Sequence, residues 1–119
     1  MSKGTRQLCE ASANGDLARV KGLLRSDGVN GNEAYNGWTP MYVAAQNGHA
    51  DVLKALIASG CDANAARKGG GMPALIAAEK GHADALEALV AAGADVDHAN
   101  DEGWTAVRSF FLVEGGRPL

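Results

Sequence analysis

A fixed step of 33 residues runs along this chain. It links Gly15, Gly48 and Gly81, then Gly37, Gly70 and Gly103, then Leu23, Leu56 and Leu89. A constant step that returns the same residue types marks one structural unit copied along the chain. Copies of that kind bury their apolar sides only against their neighbours, so the core is a thin line and the stack is a rod with a long concave face. Such a face is shaped for contact with another protein rather than for chemistry.

Composition narrows the reading further. The 119 residues carry a formal charge of −3 with both signs scattered, and no basic run of five occurs, which argues against a nucleic-acid footprint. The longest stretch without a charged residue, Ala34 to Ala50, is interrupted by Asn36, Gly37, Thr39, Pro40, Gln46 and Asn47, so no segment reads as a membrane span. No apolar stretch follows the opening Met-Ser-Lys-Gly, so no secretory leader is expected, and Ser2 is not the glycine that myristoylation needs. The two cysteines, Cys9 and Cys61, fall at different places in their units, one on a first helix and one in a loop after a second helix. They read as free thiols of a reducing compartment rather than as a disulfide framework. The expected location is therefore intracellular and cytoplasmic, with the nucleus as the alternative.

Laid beneath one another, the units explain themselves. Thr39 before Pro40 is a helix start, since the hydroxyl caps free N–H groups and proline at the first helical position loses no hydrogen bond. Met41, Ala44 and Ala45 then give one apolar side at helical spacing. Gly48 closes this helix, and a second begins with Asp51 in its first turn, where the helix dipole favours an acid. Val52, Leu53, Leu56 and Ile57 form the buried side of the second helix, and Leu86, Leu89 and Val90 repeat it one unit later. Gly60 and Gly93 end these helices, and an extended turn leads into the next unit.

This helix–glycine–helix–glycine–turn pattern resembles the ankyrin repeat. The resemblance rests on Gly37, Thr39, Pro40, Met41, Ala44 and Ala45, on the pairs Gly48-His49 and Gly81-His82, and on Gly93-Ala94-Asp95-Val96-Asp97. It covers about residues 5 to 113 and implies an all-α solenoid of stacked antiparallel helix pairs with protruding turns. The approximate repeats are 4–36, 37–69 and 70–102, followed by a partial repeat over 103–119.

The departures are as specific as the matches. The family's first-helix histidine is Tyr42, Leu75 and Arg108 here, and Met72 stands where Thr39 caps the preceding unit. With Gly69-Gly70-Gly71 before it, the turn from Arg67 to Met72 is expected to be the most mobile internal loop. The connection from Asp27 to Tyr35 lacks the Gly-Ala-Asp loop, so its register is open by about one residue. The last unit has a first helix over about 106–113 and Phe110-Phe111 at the Ala-Ala position. It reads as a half-unit lid, with truncation of a larger protein or end-to-end pairing of monomers through the two phenylalanines as alternatives.

No catalytic constellation is present. His49 and His82 repeat in register, but neighbouring units lie roughly 8–10 Å apart and zinc needs both nitrogens within about 2.1 Å of one ion. Each imidazole is expected instead to bond to loop backbone near the inter-helix turn. Gly69-Gly70-Gly71 is followed by Met72-Pro73 rather than the Lys-Ser/Thr of a phosphate loop. Asp51 and Asp84 recur at helix starts, where the dipole accounts for them. No cofactor and no metal are expected, and the chain is read as not an enzyme.

The resemblance implies that a partner protein is met by the turn tips and the outer ends of the first helices. On this chain those positions are Tyr35, Asn36, Trp38, Gln46 and Asn47, then Lys68, Gly69, Gly71, Glu79 and Lys80, then Asp101, Glu102, Trp104 and Leu112. Trp38 and Trp104 stand two units apart, about 20 Å by that spacing, and are read as anchors with Tyr35; the opposing reading has each indole folded over its own turn as a shield. The function implied is protein–protein interaction through the concave face. The alternatives are a small regulatory inhibitor of a kinase or cytoskeletal protein, and the ankyrin part of a larger protein. Asn64, eight residues after Leu56, also resembles sites of asparaginyl hydroxylation in ankyrin proteins, against the plainer reading of a loop-bracing amide.

Overall fold

A computed structural model describes residues 3–26, 29–65 and 71–95. Within them six helices follow one another: α1 (Lys3–Asn14), α2 (Leu17–Leu24), α3 (Pro40–Gln46), α4 (Ala50–Ala58), α5 (Pro73–Glu79) and α6 (Ala83–Ala91). Each consecutive pair packs as a hairpin, and the pairs stack in two rows, with α3 between α1 and α5 and with α4 between α2 and α6. The molecule is elongated, 45 × 25 × 21 Å. The all-α stack expected from the repeat is thus present, and the described residues contain no strand, only single bridge residues at Tyr35, Trp38 and Gly71.

The helix ends form where the sequence places them. Thr39 is extended and its hydroxyl accepts from Tyr42 N–H at 3.1 Å, while Pro40 opens α3. The same hydroxyl donates to Ala65 O at 2.7 Å, so the cap also ties the second repeat to the loop that leads into the third. Met72 holds the equivalent extended backbone before α5 with no side-chain cap. At the far end, Gly48 N–H bonds to Ala45 O and His49 N–H to Ala44 O, the paired bonds of a Schellman close. Gly48 has φ +74°, and a Cβ there would stand 2.7 Å from His82 Nδ1. The recurring glycine is therefore required twice, by the left-handed backbone and by the ring that packs on it.

The core is a line of Leu8, Val20, Met41, Val52, Leu53, Leu56 and Leu89, with Ala44, Ala45, Ala77 and Ala78 letting the first-row helices approach closely. Val90 departs from expectation. It is 50% exposed, whereas Leu24 and Ile57 at the same place in the repeat are half-buried, Leu24 on the groove toward the following unit. After α6 that unit falls outside the described residues. The Arg67–Gly70 part of the glycine-rich turn and the whole of the partial repeat, with Phe110 and Phe111, also lie outside them.

Between repeats, side chains of one unit bond to the backbone of another. His49 Nε2 donates to Ala13 O at 3.1 Å and His82 Nε2 to Gln46 O at 3.0 Å, each reaching back to the end of the preceding first-row helix. The expected backbone bond is there, and it crosses the repeat boundary. Asn32 Oδ1 accepts from Asp62 N–H and Asn64 Oδ1 from Asp95 N–H, both at 2.7 Å. Asn32 and Asn64 are one residue short of the 33-residue step, which is the slip in the first connection that the sequence left open. Asn64 is accordingly a loop-bracing amide in this structure.

Ser12 occupies the position that is Ala45 and Ala78 in the following repeats, fully buried and with no hydrogen-bond partner for its hydroxyl. Ser12→Ala is expected to raise stability by about 1 kcal/mol, since an unpaired buried hydroxyl is removed. Thr39→Val removes two bonds at nearly constant shape and is expected to cost about 2 kcal/mol. Urea unfolding of the two variants checks both; shifts of the same sign would contradict the assignment.

Candidate functional site

The described ones among the residues that sequence reading selects sit on the first-row side of the stack, in the hairpin before α3, just before α5 and at the C-terminal ends of α3 and α5. The hairpin is closed by Tyr35 N–H to Trp38 O at 2.8 Å and Trp38 N–H to Tyr35 O at 3.0 Å. Its central residues, Asn36 at φ +52° and Gly37 at φ +84°, give a type I′ turn, which explains why Asn-Gly stands at the tip. Asn36 is exposed. Tyr35 is half-buried, with the Arg6 guanidinium 5.8 Å from its ring centroid. Arg6 in turn donates to Glu10 at 2.9 Å one helical turn on, and that bond, with the field of Tyr35, raises the guanidinium pKa further.

Trp38 is half-buried and packs on the core, with its ring tilted at 55° to Tyr42 and the centroids 5.4 Å apart. It therefore shields the stack while keeping part of its surface open. Gln46 is half-buried and its carbonyl holds His82. Asn47 is exposed, and its amide donates to Ala13 O at 2.9 Å, so it also braces the first repeat boundary. Glu79 and Lys80 are exposed at the end of α5. Lys68, Gly69, Asp101, Glu102, Trp104 and Leu112 lie outside the described residues.

Two features escaped sequence reading. One is the Arg6–Glu10 pair beside the hairpin; the two sit one helical turn apart on α1, but nothing local says that Tyr35 will come to lie over Arg6. The other is an open slot of about 160 Å³ between α3 and α5, lined by Tyr42, Gly71, Met72, Leu75, Ile76 and Glu79. Its signal was present in the departures from the repeat, since Tyr42, Gly71, Met72 and Leu75 are all positions where the pattern breaks. On the second row, shallow grooves lie between α2 and α4, with Lys21 and Arg25 at the rim, and between α4 and α6, with Lys54, Asp84 and Glu87.

The described cysteines are poor nucleophiles. The Cys9 thiol is buried beneath the hairpin, 3.4 Å from Trp38 O, and burial pushes its pKa from 9.0 up to about 11, away from the thiolate that nucleophilic work needs. Burial raises Cys61 as well, and both cysteines are free thiols. Among the described residues no three His, Cys, Asp or Glu side chains gather as a metal site, and no helix is long and apolar enough to cross a membrane.

Comparison with known proteins agrees with this architecture. The family model "Ankyrin repeats (3 copies)" matches residues 8–100. The chain is 38% identical over 53 residues to the NAD-capped RNA hydrolase NUDT12 of Homo sapiens, a match that spans 44% of this chain and 12% of that protein; the Pongo abelii protein matches equally. It is 35% identical over 63 residues to protein phosphatase 1 regulatory subunit 27 of Mus musculus, which spans 53% of this chain and 41% of that protein. The matches thus cover less than half of the length of either relative. Ankyrin repeats serve in general as protein–protein interaction modules. With the helix pairs, the glycine closes and the histidine bonds between repeats in register, and with the family model spanning most of its length, the chain belongs to the ankyrin repeat family.

Proposed function

We propose that the chain is a non-catalytic interaction module that holds a partner protein on its concave face, between the first-row helices and the hairpin turns. One observation carries the reading. The aromatic side chains among the described residues, Tyr35, Trp38 and Tyr42, all belong to the first row and its turn, beside Asn36, Gln46, Glu79 and Lys80, whereas no aromatic side chain lines the second-row grooves. Trp, Tyr and flanking polar side chains are the types that dominate protein interfaces. The two unpaired thiols support an intracellular, cytoplasmic setting as part of the same proposal.

A second reading, regulation of a bound enzyme, is favoured by the similarity to a phosphatase regulatory subunit. It uses the same face and differs only in what binding does, so an activity assay on the captured partner separates the two. The hydrolase activity in the name of the other relative is that protein's own, and the 12% of its length matched here gives no ground for transferring it.

Trp38→Ala removes packing on Tyr42 as well as an anchor, so the face is better tested with exposed or half-exposed residues. Gln46→Arg and Glu79→Lys are expected to abolish capture of the partner by the immobilised chain while leaving the unfolding midpoint nearly unchanged. Lys54→Glu and Glu87→Lys, on the second row, are expected to leave capture intact. The reverse pattern would place the interface on the outer helices and sink the proposal.

A further inference from the structure

The repeat pattern is interrupted at one place in a way that opens the surface. The residue after the turn glycine is Trp38 in the second repeat and Trp104 in the fourth, but Gly71 in the third. In the second repeat the indole packs on Tyr42, four residues along, with ring centroids 5.4 Å apart. The equivalent pair in the third repeat is Gly71 and Leu75, and both line the slot between α3 and α5. The slot is thus the place where the third repeat lacks the indole that the second one has. The chain does not fill it from Gly71 either: a Cβ there would meet Tyr42 Cε2 at 3.1 Å.

The walls say what fits. Met72, Leu75, Ile76 and the ring edge of Tyr42 are apolar, and a thioether beside an open aromatic edge favours another ring. Tyr42 is 5% exposed, and its hydroxyl bonds to no other described residue, though it is not a sealed, unpaired group like that of Ser12. That hydroxyl lies on the Gly71 side of the slot, 3.5 Å from where a Cβ would stand. Glu79, on the rim, is exposed and forms no ion pair among the described residues. Lys80 is its neighbour in sequence, and adjacent helical positions do not face one another.

We propose that the slot between α3 and α5 takes one aromatic side chain of a partner protein, supplied from an extended segment that bonds to the Tyr42 hydroxyl and sets a lysine or arginine against Glu79. The proposal rests on the concave-face reading and deepens it by naming the partner's chemistry. The partner ring takes the place of the indole, the Tyr42 hydroxyl offers the segment a hydrogen-bonding group, and the carboxylate selects the charge beside the ring.

The test uses the full chain and a random-sequence peptide library displayed on phage. Enriched peptides are expected to carry Trp, Phe or Tyr with Lys or Arg within two positions. Tyr42→Phe removes only the hydroxyl and is expected to weaken those peptides by about fivefold to tenfold, the size of one hydrogen bond. Glu79→Gln is expected to erase the preference for a basic neighbour while keeping the ring. Peptides without an aromatic residue, or no enrichment at all, would overturn the proposal. Peptides indifferent to Tyr42→Phe and Glu79→Gln but lost on Gln46→Arg would overturn the slot and leave the concave-face reading standing. Peptides lost only on Lys54→Glu or Glu87→Lys would sink both.

Discussion

The stack depends on hydrogen bonds that cross from one repeat to the next. A single helix pair of this size cannot cover its own apolar side, so each repeat is stable only against a neighbour. Apolar contact alone would allow neighbours to slide. His49 to Ala13 O and His82 to Gln46 O fix the position of each pair along the preceding one, at the inner end of the helices. Asn32 to Asp62 N–H and Asn64 to Asp95 N–H do the same at the loops. Each bond contributes on the order of 1 kcal/mol, and its loss strands a backbone group that the neighbour then leaves unpaired. The spacing of the repeats, and with it the shape of the face, follows from these few contacts.

Much of this was legible because the devices are local. Thr39-Pro40 and the turn glycines act within one helix end, so their residue types alone announce them. His49 and His82 were legible as backbone ligands, but the identity of the acceptor was not. It lies 36 residues back, and no local pattern says whether a ring turns toward its own turn or its neighbour's. Asn32 was hidden for a related reason: one residue of slip breaks the repeat register, and only the contact with Asp62 restores it. Val90 was misjudged because helical spacing marks an apolar side without saying how far its edge is covered.

The candidate surface shows the same division. The turn tip and helix ends could be named from the repeat, because every unit presents them alike. The slot could not, because it arises from an absence, the missing indole at Gly71, seen against the bulk of Tyr42. Departures from a repeat carry the information that distinguishes one member of such a family from another. Here Tyr42, Gly71, Met72 and Leu75 are scattered as sequence oddities and meet as the wall of one cavity.

Native-state amide hydrogen exchange on a His82→Ala chain tests the central claim most directly, since it reads stability helix by helix. If the cross-repeat bonds couple each unit to the one before it, protection falls in α5 and α6 and at the end of α3, while α1 and α2 keep theirs. An even loss across every helix, or no loss in α5 and α6, contradicts the account.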